Sequence, residues 1–270
     1  FRDKVRLYDH STPRDFFDKA VLRDWAQQVK EAPSGITMHK FGPLRNRPGE
    51  DPGRDPSNRL LSSSELRRIR QGYENCREAL GFEHDILIGC HWEFDLRSAI
   101  EFAQALVDVK PRFLEDPLPV AYSESWKRLA NMSPVPICTG ENWMRRAEAL
   151  PFIVNAALDI IHPDLRNSGG FLENKRMADL ADLYFIPVAN HNTGSIVNGM
   201  ASILWGSTIR DYFACETVFF DRTWMDDIIV HDKPLCVDGF VTVPDKPGLG
   251  IELDPDVVKA HLAEGETWWG

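Results

Sequence analysis

Short apolar runs alternate with amphipathic stretches along most of the chain. Eight of these runs are rich in Ile, Val, Phe and Leu, and most follow one another at intervals of about 25 residues. They cover residues 5–9, 35–41, 85–92, 112–118, 135–143, 158–165, 185–191 and 212–220. Runs this short and this apolar are typical of parallel strands with both faces buried, so the pattern predicts eight such strands.

The stretches between the runs have the spacing of helices. Residues 169–184 show a helical period, and residues 98–109 place four apolar side chains on one helical face. These four are Ile100, Ala103, Leu106 and Val107. Strands that alternate with helices in this way predict an α/β protein with the (β/α)8 architecture of a TIM-type barrel. A doubly wound open sheet is disfavoured, because no GxGxxG loop follows the first strand.

Two segments interrupt the alternation. Residues 42–61 are rich in Pro, Gly and Arg, so we expect either a loop that covers the active site or a plain surface insertion. After residue 221 the period stops. We therefore predict a barrel domain over residues 1–221 and a tail over residues 222–270. The tail is expected to form a short hairpin and a closing helix that pack on something beyond the barrel.

Composition narrows the class of protein. The chain has 270 residues, of which 43% are hydrophobic and 27% charged, as in an ordinary globular protein. A formal net charge of −10 argues against a broad basic surface for nucleic acid, and no apolar run is long enough to span a membrane. The five cysteines have no CxxC spacing, which favours reduced thiols in a cytoplasmic protein.

Polar residues stand at the carboxyl ends of the predicted strands. From residue 91 onward they recur every 23–27 residues, once per strand. The full set is Lys40, His91, Glu115, Glu141, Asp164, His191 and Glu216. Because the carboxyl ends of barrel strands meet at one mouth, we expect these side chains to form one site. Burying so many ionisable groups together is costly unless they bind a cation or one another.

Two pairs within this set indicate specific chemistry. Glu115 and Glu141 lie on neighbouring strands, so their carboxylates can bind one Mg²⁺ or, alternatively, can be held by Lys or Arg. Asp164 and His191 also lie on neighbouring strands. A carboxylate beside an imidazole fixes its tautomer and makes it a general base, and a purely structural pair is the alternative.

Four motifs at the strand ends are similar to those of a known family. They are FLEDP (113–117), CTGENW (138–143), HPDLRNSGG (162–170) and ANHNTGS (189–195). Together they resemble the mandelate racemase/muconate lactonising branch of the enolase superfamily, and the Asp–His pair points to its mandelate racemase subgroup. Members of that branch bind a carboxylate substrate on Mg²⁺ and remove the proton α to the carboxylate.

The resemblance implies a role for each matching residue. Glu115 and Glu141 would be ligands of Mg²⁺, and His191 would be the base, oriented by Asp164. Glu216 would be a carboxylic acid that hydrogen-bonds the enediolate intermediate. No organic cofactor is expected.

Two positions depart from the family pattern. Lys40 occupies the second lysine of the family's KxK motif, but Met38 replaces the first, which weakens the case for a two-base racemase. On the third strand the family has a metal-binding Asp. When this chain is aligned on the helix that follows that strand, Gly89 falls at the position of this Asp. His91 then matches the general acid of galactonate-type acid-sugar dehydratases. A register shifted by two makes His91 the ligand instead, and strand alternation keeps Gly89, His91 and Glu93 on one face.

Three functions are consistent with this resemblance. The first is a Mg²⁺-dependent acid-sugar dehydratase, with His191 removing the α-proton and His91 protonating the leaving hydroxyl. The second is a racemase, epimerase or cycloisomerase that uses Lys40 as a base, and the third is a catalytically silent relative that lacks a ligand at Gly89. We expect a sugar acid as the partner, no nucleic acid or membrane, and a homo-oligomer. The family's capping domain is expected to be absent from this chain and to be the surface on which the tail packs.

Overall fold

Eight parallel strands alternate with seven helices in the computed structural model, which describes residues 1–42, 58–217, 224–231 and 233–269. The strands are β1 (Lys4–Tyr8), β2 (Met38–Lys40), β3 (Asp85–Gly89), β4 (Leu114–Glu115), β5 (Ile137–Thr139), β6 (Ile160–Ile161), β7 (Val188–Asn190) and β8 (Tyr212–Glu216). The helices are α1 (Lys19–Lys30), α2 (Ser63–Leu80), α3 (Leu96–Ala105), α4 (Glu124–Met132), α5 (Arg146–Val154), α6 (Gly170–Asp182) and α7 (Ile196–Ser207). Each strand lies within the run predicted for it, except that β1 begins one residue earlier.

The strands close into a barrel. Strands β2 to β8 pair in chain order, and β8 pairs in parallel with β1. A bridge between Asp9 and His39 joins β1 to β2, with the amide of Lys40 donating to the carbonyl of Asp9 at 2.7 Å. The predicted (β/α)8 barrel is confirmed.

Side-chain caps begin several of the helices. Asp18 accepts hydrogen bonds from two amides in the first turn of α1, and Asp95 does the same for α3. At the start of α2, Ser62 and Glu65 form a reciprocal capping box. Each cap satisfies amides that have no partner within the helix, so these short polar residues set where the helices begin.

The face predicted for residues 98–109 is correct at three of its four positions. Ile100, Ala103 and Leu106 are buried, whereas Val107 is 46% exposed. The error at Val107 has a simple cause: α3 ends at Ala105, so helical spacing no longer applies beyond it.

An inner layer of side chains fills the barrel below its mouth. The eight strand regions each contribute one side chain to it: Tyr8, Met38, Leu87, Phe113, Cys138, Ile160, Ala189 and Ala214. On β3, Ile86 and Ile88 pack instead in the larger cluster between the strands and the helices. Because alternate strand residues face opposite sides, the next inward position on each strand lies two residues further along, at the mouth.

The tail contacts the barrel directly. It contains β9 (Ile229–Val230), β10 (Phe240–Thr242), β11 (Glu252–Leu253) and α8 (Pro255–Ala260). Strand β10 pairs antiparallel with β1, and β9 pairs with β11, so the pairing is more extensive than the simple hairpin we expected. The closing helix is present. The predicted boundary at residue 221 and most of the predicted loop at 42–61 lie outside the described residues.

Two further expectations can be compared with the described residues. All five cysteines lie in the described ranges, where they are buried and form no disulfide. Among the helices of these ranges, none has both the length and the apolar character needed to cross a bilayer.

Candidate active site at the barrel mouth

Eight residues form the layer directly above the inner layer, each two positions after an inner-layer residue. They are His10, Lys40, Gly89, Glu115, Gly140, His162, His191 and Glu216. Six carry ionisable side chains and two are glycines. Strand alternation therefore collects the charged groups in one ring around the mouth, while Glu141 and Asp164 follow just beyond it.

Lys40 forms a buried ion-pair bridge across the barrel. Its Nζ lies 2.7 Å from Oε2 and 3.0 Å from Oε1 of Glu115, and it also pairs with Oε1 of Glu216. Burial lowers the pKa of Lys40, but the charges of Glu115 and Glu216 outweigh this effect and raise the pKa above its ordinary value. An ammonium held in this way is a poor general base, so the geometry disfavours the racemase that would use Lys40.

His162 lies beside Glu115 and was not singled out from the sequence. Its Nδ1 donates a hydrogen bond to the carbonyl of Ala189 at 2.7 Å, and its Nε2 lies 3.0 Å from Oε1 of Glu115. Burial lowers the pKa of His162, but the charge of Glu115 and the contacts of Nε2 with Glu115 and Glu216 together outweigh burial and raise this pKa to about 10. The signal was present in the sequence, because His162 stands two residues before Asp164 and shares its strand face.

Asp164 and His191 form the predicted pair. Nδ1 of His191 donates to Oδ2 of Asp164 at 2.7 Å, and both side chains are buried. Burial raises the pKa of Asp164, but the hydrogen bond from His191 and the amide of Arg166 lower it below its ordinary value. With Nδ1 engaged, Nε2 of His191 points into the mouth, 3.6 Å from Oε2 of Glu141.

Glu141 reaches the mouth because Gly140 turns the chain. Gly140 has φ of 145°, and a Cβ at this position would lie 2.9 Å from the ring of Trp143, so only glycine fits. Burial and the nearby carboxylates of Glu115 and Asp116 raise the pKa of Glu141 to about 8. Its surroundings therefore favour a Glu141 carboxyl group that is either protonated or bound to a cation.

Three of these residues fit a divalent cation. Ligand atoms of Glu115, Glu141 and His162 all lie within 4.8 Å of one another, and no other such group exists among the described His, Cys, Asp and Glu residues. Oε2 of Glu115 and Nε2 of His162 are both buried, and they lie 2.7 Å from Nζ of Lys40 and 3.0 Å from Oε1 of Glu115, respectively. Two carboxylates and an imidazole that converge in this way could hold a metal ion between them.

The end of β3 differs from the strand alternation that we expected. Gly89 pairs with Glu115, and a Cβ on Gly89 would lie 3.5 Å from Oε2 of Glu115, so this position does face the site. The strand ends there, and His91 and Trp92 have positive φ values of 51° and 61°. The expectation that alternation extends from Gly89 through His91 to Glu93 is therefore wrong, because two left-handed residues redirect the chain.

Glu216 is held as a carboxylate. Besides Lys40, it contacts Nε2 of His10, and its Oε2 accepts a hydrogen bond from the amide of Asn192 at 3.0 Å. Burial raises the pKa of Glu216, but Lys40, His191 and His10 lower it well below its ordinary value. The carboxylic acid implied by the resemblance is not the form that these surroundings favour. His10, like His162, was missed, although it lies two residues after Tyr8.

A cavity of about 980 Å³ opens over one side of the mouth. It is lined by His10, Ser11, Thr12, Lys40, His91 and Thr193, among others. Its volume lies at the upper end of the usual range for small-molecule sites. Hydroxyl and imidazole groups in this lining can bind a polar substrate, while Trp25, Val29 and Phe41 add apolar surface.

Residues 22–257 match the family model described as enolase C-terminal domain-like. This chain belongs to that family. A mandelate racemase/muconate lactonizing enzyme-like protein from Rubrobacter xylanophilus has the same fold, with a TM-score of 0.89 and 28% identity over 100% of this chain and 71% of its own. The enolase superfamily and its mandelate racemase/muconate lactonizing branch are thus confirmed.

Curated relatives of this family member carry dehydratase names. The chain is 36% identical to the D-xylonate dehydratase of Haloferax volcanii, with 99% of this chain covering 64% of that protein. It is 28% identical to the D-gluconate dehydratase of Thermoproteus tenax, with 97% of this chain covering 50% of that protein. The chain therefore spans between half and about two thirds of the length of these relatives.

Proposed function

We propose that this chain is the barrel of a metal-dependent sugar-acid dehydratase. The observation that carries the proposal is the Asp164–His191 pair, whose free Nε2 faces Glu141 across the mouth at 3.6 Å. A base directed at a carboxylate-lined cation site is the arrangement needed to remove a proton α to a bound carboxylate. The names of the relatives supply the substrate class, a sugar acid with hydroxyl groups on its α and β carbons.

His191 is proposed to remove the α-proton. Its Nδ1 is held by Asp164, so Nε2 is the atom that accepts the proton. The electron pair of the broken C–H bond first moves into the substrate carboxylate; it then forms a C=C bond to the β carbon as the β C–O bond breaks. The resulting enol takes up a proton at the β carbon, loses its hydroxyl proton and becomes a 2-oxo-3-deoxy acid, so the net change is the loss of one water.

His91 is proposed to protonate the departing hydroxide. It lines the cavity beside Gly89, at the redirected end of β3. Hydroxide is a poor leaving group at neutral pH, and a positioned acid contributes ~10²–10⁴-fold to such a step. Its ring lies on the Gly89 side of the mouth, since a Cβ on Gly89 would stand 3.4 Å from Cε1 of His91.

Glu115 and Glu141 are proposed to hold the cation, Mg²⁺ according to the resemblance. When bound, the cation would fix the substrate carboxylate and offset the negative charge that develops on it. Lys40 and Glu216 line the same mouth. The Lys40 ammonium holds Glu115 and Glu216 in place and adds positive charge near the reacting carboxylate.

A silent relative is the second candidate. It is favoured by Gly89, which contributes no ligand, and by the Lys40 ammonium, which already neutralises Glu115. Such a protein would bind sugar acids weakly or not at all and would perform no chemistry on them.

Incubation with a panel of sugar acids tests the proposal. The protein is mixed with D-xylonate, D-gluconate and D-galactonate in Mg²⁺ or Mn²⁺, and 2-oxo acid formation is measured with semicarbazide. We expect product from at least one acid, together with exchange of its α-proton in D₂O, and neither with His191→Asn. Absence of both reactions from the unmodified protein would support the silent relative. Dehydration that persists in His191→Asn would contradict the proposed base.

A further inference from the structure

We propose that His162, through Nε2, is the third protein ligand of the metal site, in place of the carboxylate that Gly89 lacks. The inference rests on the proposed metal dependence and goes beyond it. It changes both the ligand set and the metals that the site prefers.

The tautomer of His162 is set by its surroundings. Nδ1 donates to the carbonyl of Ala189 at 2.7 Å, which requires a proton on Nδ1. A metal ion bound at Nε2 would replace any proton there, and the neutral imidazole would then present its Nε2 lone pair to the ion. A backbone carbonyl that holds the distal nitrogen is the usual support for a metal-binding histidine.

The position of Nε2 matches a ligand. His162 is fully buried, and its Nε2 faces Oε1 of Glu115 at 3.0 Å and Oε2 of Glu216 at 3.6 Å. Adjacent ligands of an octahedral ion with bonds of about 2.1 Å stand about 3.0 Å apart, and opposite ligands about 4.2 Å apart. The ligand atoms of Glu115, Glu141 and His162 lie within 4.8 Å of one another, so small side-chain rotations bring them onto one ion.

The opposite side of the site has no donor from β3. A Cβ on Gly89 would stand 3.5 Å from Oε2 of Glu115, so an acidic side chain there would reach the ion, whereas glycine supplies no ligand and the neighbouring groups are the His91 ring and the Lys40 ammonium. His162 approaches Glu115 through its other oxygen, Oε1. The ion would thus have three protein ligands, and its remaining positions would be available to substrate oxygens.

A nitrogen ligand changes metal preference. Carboxylates and water suit Mg²⁺, whereas imidazole strengthens binding of Mn²⁺ and of later divalent transition metals. We therefore expect this protein to bind Mn²⁺ more tightly than Mg²⁺, by a margin that depends on His162.

Electron spin-echo spectroscopy of bound Mn²⁺ tests this directly, because it detects a coordinated nitrogen without any catalytic turnover. The unmodified protein should show histidine ¹⁴N modulation that changes when histidine is labelled with ¹⁵N. In His162→Asn, the Asn amide can still donate to Ala189 where Nδ1 did, but the ligand atom is gone. We expect this variant to lose the modulation and at least tenfold in Mn²⁺ affinity, measured by calorimetry, with a smaller change for Mg²⁺.

His191→Asn is the matched control, since it removes the other buried imidazole of the mouth and should keep the nitrogen modulation. The inference is overturned if the unmodified protein binds no Mn²⁺, if its spectrum lacks histidine nitrogen, or if the modulation survives in His162→Asn. The ¹⁵N experiment on unmodified protein decides the matter even if His162→Asn does not fold. Nitrogen coordination without dehydration of any sugar acid would contradict the proposed dehydratase function but not the role of His162 as a ligand. Dehydration without nitrogen coordination would contradict the role of His162 as a ligand but not the dehydratase function.

Discussion

The two halves of the barrel mouth are built on the same strand geometry but carry different chemistry. From β4 to β8 the mouth carries Glu115, Glu141, the Asp164–His191 pair and Glu216. From β1 to β3 it carries His10, a paired ammonium at Lys40, and Gly89. In the proposed function, the β4–β8 half binds the cation and removes the α-proton, whereas His10, Lys40 and Gly89 of the β1–β3 half line the cavity. Proton removal in this proposal therefore belongs to the β4–β8 half, and protonation of the leaving group, by His91, belongs to the β1–β3 half.

The largest expected effect lies in the β4–β8 half. His191→Asn should abolish α-proton exchange in D₂O, measured by NMR, because it removes the imidazole that Asp164 orients at Nδ1 and whose Nε2 faces the mouth. Asp164→Asn should slow the exchange by ~10⁴-fold, since the amide no longer selects the correct tautomer. Circular dichroism checks that both variants fold. Exchange that continued in His191→Asn would move the base to the β1–β3 half.

His91→Asn tests the chemistry of the β1–β3 half. We expect dehydration to slow by ~10²–10⁴-fold while α-proton exchange continues, because only the departing hydroxide needs this acid. Product formation and exchange are measured on the same sample. A joint loss of exchange and metal binding would instead make His91 a ligand, and an unchanged rate of dehydration would leave it without a catalytic role.

Lys40→Met separates electrostatic positioning from base catalysis. Removal of the ammonium leaves Glu115 and Glu216 as buried carboxylates without their shared cation, so we expect the free energy of unfolding to fall by about 3 kcal/mol. Denaturant titration measures this. Lys19→Met is the control, since Lys19 lies 3.8 Å from Glu78 on the surface and should change stability little. Unchanged stability in Lys40→Met would contradict the structural bridge.

The smallest expected effect comes from filling the gap on β3. A Cβ at Gly89 meets only ordinary contacts, 3.4 Å from Cε1 of His91 and 3.5 Å from Oε2 of Glu115. Gly89→Asp should therefore fold and tighten Mg²⁺ binding by roughly tenfold, because an additional carboxylate suits a hard cation. Calorimetry measures the change, with Gly89→Ala as the control for the added bulk. Weaker Mg²⁺ binding in the Asp variant would show that position 89 does not face the ion.

Strand periodicity determines much of this protein. Alternating apolar runs predicted all eight barrel strands, because a strand buried on both faces needs short stretches of Ile, Val, Leu and Phe. The same period placed Glu115, His191 and Glu216 at one mouth. His10 and His162 obey this rule as well, and counting two residues on from each inner-layer side chain would have identified them.

Tertiary structure decided what periodicity does not encode. Whether Lys40 is a general base or a buried ion-pair partner depends on Glu115 and Glu216, which come from strands far away in the chain. The left-handed backbone at His91 ends the alternation, and β10 joins the barrel beside β1. Local sequence sets which way a side chain points along a strand, but charge state and ligand sets depend on which distant strands the closed barrel brings within a few ångströms.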